Sequence, residues 1–197
     1  MPTAAALPAA PSTPAAAPTL NEATDLTHAE APVNVPPPRD QSAFYDVALG
    51  VHPATVQRCA YLDIGEVVQT AIGKSTLTDS PLTHPDTSPI TVCMFSIGPA
   101  AAEGKEDYIS RDFLSVSVNY QGSKDFAAVV KQRGGGEKVA LGDEAYWWNS
   151  DRGGQLSVLH GTSLITVYTF TVNNPPVLET RREALENIAK KLLAAGP

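Results

Sequence analysis

Positive charge is scarce in this chain, long apolar runs are missing, and cysteine is nearly so. Each shortage removes a class of function. Lys and Arg number 14 against 21 Asp and Glu, a formal net charge of −7 over 197 residues. A nucleic-acid binder needs clustered cations to displace phosphate counterions, so no nucleic-acid partner is expected. No apolar stretch approaches the roughly 20 residues of a membrane span. The two cysteines, Cys59 and Cys93, lie far from CxxC spacing and no His-x₃₋₅-His accompanies them, which argues against a metal centre and a redox motif. There is no GxSxG elbow and no GxxxxGK[ST] loop. His28, His52, His84 and His160 are scattered, so no catalytic residue and no cofactor is assigned. Gly134-Gly135-Gly136-Glu137-Lys138 follows a helix instead of opening one, as a C-cap does and a phosphate loop does not.

Proline, by contrast, is plentiful and uneven. Nine of the 17 prolines fall in residues 1–40, with eleven alanines and no aromatic residue. Proline fixes φ and removes a donor, so neither helix nor sheet propagates through this spacing. Without an apolar anchor, ordering the segment would cost backbone entropy with little return. Residues 1–40 are expected to be a disordered Pro/Ala-rich tether, and residues 41–197 a single globular domain. Tethers of this kind follow the lipidated cysteine of bacterial envelope lipoproteins. The expected location is therefore the periplasm or cell envelope, with membrane contact only through an N-terminal anchor lost from this sequence. Cys59 and Cys93 then read either as two buried free thiols or, in an oxidising compartment, as a structural disulfide.

The globular pattern is mixed. A short leading helix fits Ser42–Leu49. Ile64, Val67, Val68, Ala71 and Ile72 recur at helical spacing over 62–72, with Asp63 and Glu66 placed as a capping box and Gly73 as the stop. Residues 74–89 resemble a loop. Ile90–Ile97 and Phe113–Tyr120 are strands, the second with Leu114, Val116, Val118 and Tyr120 on one face. A helix starts near Ser123, with Phe126, Val129 and Val130 inward. Strands at Ala145–Asn149, Gln155–His160 and Ser163–Val172 form a meander, joined across Asp151-Arg152-Gly153-Gly154 and across a type II′ turn at Gly161-Thr162. A helix over Val177–Ala194 closes the chain. The expected class is α+β: two layers, a twisted antiparallel sheet, helices packed mainly on one face.

Tyr146-Trp147-Trp148 is the densest aromatic run. Neighbours on a strand point to opposite faces, so only one of the two tryptophans can enter the core. The other meets solvent or a partner, where an indole is an effective anchor. Tyr146, Trp147, Trp148 and the nearby Arg152 are the candidate partner-binding residues.

Several stretches are similar to one family. Cys59-Ala-Tyr-Leu-Asp-Ile-Gly-Glu-Val-Val leads into a helix ending at Ile72-Gly73, and Cys93 lies on the next strand. Gly142-Asp143-Glu144-Ala145-Tyr146-Trp147 precedes a hairpin, and Ile188-Ala189-Lys190-Lys191-Leu192-Leu193 closes the chain. Over about residues 55–195 the chain resembles small bacterial cell-envelope lipoproteins with a DUF3558-like domain. The resemblance implies a Cys59–Cys93 pair, an export origin and a non-enzymatic envelope role. The function expected is a monomeric extracytoplasmic domain that binds an envelope or secreted protein, or a cell-wall component. One form would be an immunity-type inhibitor acting on a basic target. A small-molecule or lipid carrier with a pocket between sheet and helices is the alternative, and a hydrolase the third class.

Overall fold

The computed structural model describes residues 39–80, 89–97, 112–171 and 178–196. The chain divides into two units, Met1–Pro36 and Pro37–Pro197, and every described residue lies in the second. The expected tether over residues 1–40 thus falls outside the described residues, except Arg39 and Asp40.

Among the described residues, twelve elements run in the order β1 (Asp46–Val47), α1 (Pro53–Tyr61), α2 (Gly65–Ile72), β2 (Ser75–Thr78), β3 (Ile90–Ile97), β4 (Asp112–Asn119), α3 (Ser123–Gln132), β5 (Glu137–Val139), β6 (Glu144–Ser150), β7 (Gly153–His160), β8 (Ser163–Phe170) and α4 (Leu178–Ala195). The strands form one eight-stranded sheet ordered β1-β2-β3-β4-β8-β7-β6-β5. The class is α+β. The sheet is mixed, not antiparallel throughout, because β1 pairs parallel to β2. Parallel neighbours need a crossover too long for a hairpin, and α1 and α2 supply it. All the other pairs are antiparallel.

The first helical region departs most from expectation. Ser42–Leu49 is not a helix; β1 lies within it. Asp63 does not cap a helix over 62–72, because its φ is +50° and the chain breaks there into α1 and α2. α1 starts with Pro53 in the first turn, and His52 Nδ1 accepts the Ala54 N–H at 3.2 Å, a start suited to a residue that has no N–H to satisfy. α2 has no cap from its own N-cap side chain. Gln41 caps it from a distance: its Oε1 accepts the Gly65 N–H at 2.9 Å, while its Nε2 donates to Asp63 Oδ1 at 3.0 Å. Asp63 Oδ2 pairs with Arg39 at 3.4 Å and with Lys191 of α4 at 3.2 Å. Residues 74–89 are not all loop either, since Ser75–Thr78 is β2; residues 81–88 lie outside the described residues.

The second meander follows expectation more closely. His160 faces Ser163 across Gly161-Thr162. Gly161 has φ +57° and Thr162 is not left-handed, as a type II′ turn requires. The preceding turn is shorter than expected: Ser150 pairs with Gly153, so Gly153 and Gly154 belong to β7. A Cβ on Gly154 would collide with the Trp147 indole, so the glycine here admits a large neighbour and makes no turn.

Most of the buried apolar residues form one cluster. Leu77, Cys93, Phe95, Leu114, Val116, Val118, Val139, Ala145, Trp147, Leu156, Val158, Ile165 and Val167 of the strands meet Cys59, Ile64, Val68, Leu185, Ile188, Ala189 and Leu192 of the helices. Cys59 and Cys93 form a disulfide with Cα atoms 5.7 Å apart, tying α1 to β3 across 34 residues. In the chain-entropy description, a loop of that length stabilises by about 4 kcal/mol.

Candidate functional site

On β6 the pleat separates the aromatic run. Trp147 is 7% exposed and belongs to the core cluster with Ala145. It is therefore a core residue, unlike the other members of the expected binding set. Tyr146 and Trp148 point to the opposite, outward face and are half-buried, their ring centroids 5.9 Å apart.

Local structure fixes both rings. α3 ends in a left-handed turn in which the Gly134 N–H bonds Lys131 O at 3.1 Å and the Gly135 N–H bonds Val130 O at 3.0 Å. This pairing is a Schellman motif, and Gly134 and Gly135 both have positive φ. The turn presents the Gly135 carbonyl to Trp148, whose indole N–H donates to it. Gly136 lies against the same ring, with no space for a Cβ. The glycine run is thus a helix stop that also seats an indole. Tyr146 donates its hydroxyl to Glu144 Oε1 at 2.8 Å, and this bond holds its pKa above the ordinary tyrosine value. Phe126 of α3 lies beside it, centroid to centroid 6.1 Å.

Strand register extends the outward face across the sheet. Trp148 stands opposite Gln155, Gln155 opposite Tyr168, Tyr168 opposite Ser115 and Ser115 opposite Met94. The next row runs Tyr146, Ser157, Thr166, Ser117, Val92, and a third places Phe170 beside Phe113 and Ser96. Phe113 packs at 5.8 Å from Tyr168 and 5.6 Å from Phe170. Gln155 Nε2 donates to Ser157 Oγ at 3.0 Å, and the Ser157 and Thr166 hydroxyls are 3.4 Å apart. Burial raises the Tyr168 pKa, and the Arg133 cation opposes that shift. No outward position of β3, β4, β7 or β8 carries a charged side chain. Charge enters at the rim, through Arg133 and the Lys138–Glu144 pair at 3.8 Å.

Arg152 is exposed in the β6–β7 turn, and its carbonyl accepts the Thr171 N–H at 2.7 Å. Among the described residues no cation–π contact joins it to Tyr146 or Trp148, so the two rings and Arg152 do not form one contact cluster. The aromatic partners missed in the sequence are Phe113, Tyr168 and Phe170. The signal for them was the alternation of β8, where Ile165, Val167 and Thr169 are buried and Thr166, Tyr168 and Phe170 are not.

Elsewhere, Val67, Thr70, Ala71, Glu183, Ala184 and Asn187 line a shallow groove of about 200 Å³ between α2 and α4. Among the described residues no group of His, Cys, Asp and Glu could hold a metal ion, and no helix is long and apolar enough to cross a membrane. Comparison with protein-family models, with curated proteins and with solved structures finds no match.

Proposed function

We propose that this is a non-enzymatic, extracytoplasmic binding domain that recognises a protein or cell-wall partner through the outward face of its sheet. The observation that carries the proposal is the row Trp148–Gln155–Tyr168–Ser115, in which Trp148, Tyr168 and Ser115 are half-buried about a buried Gln155, flanked by the half-buried Tyr146, Phe113 and Phe170. Large rings kept partly accessible on a rigid sheet have the composition of a recognition surface.

The layering supports this use. In our reading α1, α2 and α4 form one layer over the core face of the sheet, and α3 alone leans on the outward face, beside Tyr146. The carrier alternative needs space between sheet and helices, where fully buried Phe95, Leu114, Ile165, Leu185 and Ile188 pack into one cluster. The partner-binding reading needs no such space. The buried disulfide suits an oxidising compartment, and the Pro/Ala segment suits a stalk in the envelope, so the two together favour export.

Affinity capture from solubilised envelope tests the proposal, with the full chain and its Trp148→Ala and Tyr168→Ala variants as bait. Material retained by the parent chain should be lost from both variants while their melting temperatures remain close to the parent's. Equal retention by all three would remove the outward face from recognition.

A further inference from the structure

We infer that the outward sheet face binds an uncharged glycan chain, laid across the strands from Trp148 toward Tyr168 and Phe113. The inference rests on the binding-face reading and assigns the ligand's chemistry.

Three features choose among ligand classes. The first is electrostatic. The protein as a whole carries a net charge of −7, yet the outward positions of four adjacent strands, β3, β4, β8 and β7, hold no charged side chain. A charged ligand pressed on this face would lose hydration without gaining a counter-charge. A neutral ligand incurs no such cost.

The second is the interleaving of hydroxyl groups with rings. Ser115, Ser117 and Thr166 are half-buried between Tyr146, Trp148, Tyr168, Phe113 and Phe170. A lipid chain laid here would strip water from those hydroxyls and offer no hydrogen bond in return. A sugar ring offers what both kinds of group require. Its C–H faces pack on aromatic rings, and its rim of hydroxyls donates to and accepts from Ser, Thr and Tyr. Gln155 and Ser157, buried beneath this layer and bonded to each other at 3.0 Å, support it from below.

The third is geometry. Trp148 and Tyr168 are two strands apart in one row, with only Gln155 between them, roughly 10 Å by the strand spacing of a sheet. A disaccharide unit spans such a gap and seats one ring against each aromatic. A peptide would instead add to a free strand edge. The edges here are β1, with two residues, and β5, with three, and both carry charged side chains.

The test is a tryptophan-fluorescence titration of the full chain with chitohexaose, a neutral oligomer of β-linked N-acetylglucosamine, at low and at high NaCl. Trp147 lies in the core and provides a constant background, so the signal reports Trp148. We expect a saturable change that is insensitive to salt. Affinity should fall by roughly tenfold or more, the loss expected of an anchoring aromatic, in Tyr168→Ala. Ser117→Lys should weaken it similarly by placing a cation mid-face, and it leaves the Trp148–Gly135 contact untouched. Melting curves and binding isothermal calorimetry on the same variants separate misfolding from lost recognition. No saturable change, a change that disappears with salt, or a change that persists in both variants would overturn the glycan assignment. If chitohexaose fails while envelope capture still depends on Trp148 and Tyr168, the ligand class is wrong and the binding face stands. If neither depends on them, both readings fall.

Discussion

Tyr45 sits edge-on to Phe95 with ring centroids 5.1 Å apart, and burial pushes its phenol pKa up to about 12 from the ordinary tyrosine value of 10.0. The folded chain therefore keeps this proton over a range of pH in which the unfolded chain has released it. Stability intact below pH 10 should fall as pH rises toward 12, by on the order of 2 kcal/mol. Tyr45→Phe should flatten that alkaline loss, as measured by denaturant melts across pH. Gln41 makes a second point at the same scale. It is 24 residues from the Gly65 N–H that it satisfies, so Gln41→Ala should leave a buried donor unpaired and cost roughly 1–3 kcal/mol, read as a lower denaturation midpoint. No local pattern reveals such a cap. The Asp63/Glu66 spacing advertised a capping box, but Asp63 is used instead to hold Arg39, Gln41 and Lys191 together.

Elements were legible in proportion to their length and to how fully one side was buried. β4, β8 and α4 bury apolar residues at regular spacing, Leu114, Val116 and Val118, Ile165 and Val167, and Leu185, Ile188, Ala189 and Leu192, and their periods stand out in the sequence. β1 and β2, with two and four residues, are too short to show alternation, and they exist because β3 offers an edge to pair with. α1 was hidden because only Thr55 and Cys59 are buried along its nine residues. The disulfide contributes what that thin stripe does not. Replacing Cys59 and Cys93 together by Ser should cost about 4 kcal/mol in the chain-entropy description. α1 should lose protection first, which hydrogen exchange of its amides would report. Loss spread evenly over the sheet would argue against a clamp specific to α1.

At the scale of the molecule, the inward positions of the sheet share one apolar cluster with residues of α1, α2 and α4, and the outward positions carry rings, hydroxyls and no central charge. Half of this was visible beforehand. Trp147 and Trp148 had to part company, and they do, but which of them faces outward follows from the β6–β7 register, with Leu156 opposite Trp147 and Gln155 opposite Trp148. Phe113, Tyr168 and Phe170 join Trp148 only after β4 and β8 pair, a contact between strands more than 40 residues apart that no window of sequence contains.

Chemical-shift mapping of the full chain, titrated with soluble cell-wall fragments, would show which surface takes a ligand. The shifted amides should cluster on β4, β6, β7 and β8 around Ser115, Trp148, Gln155, Thr166 and Tyr168. Shifts centred instead on the α2–α4 groove, at Val67, Ala71 and Asn187, or on core residues such as Leu114 and Ile188, would contradict that placement.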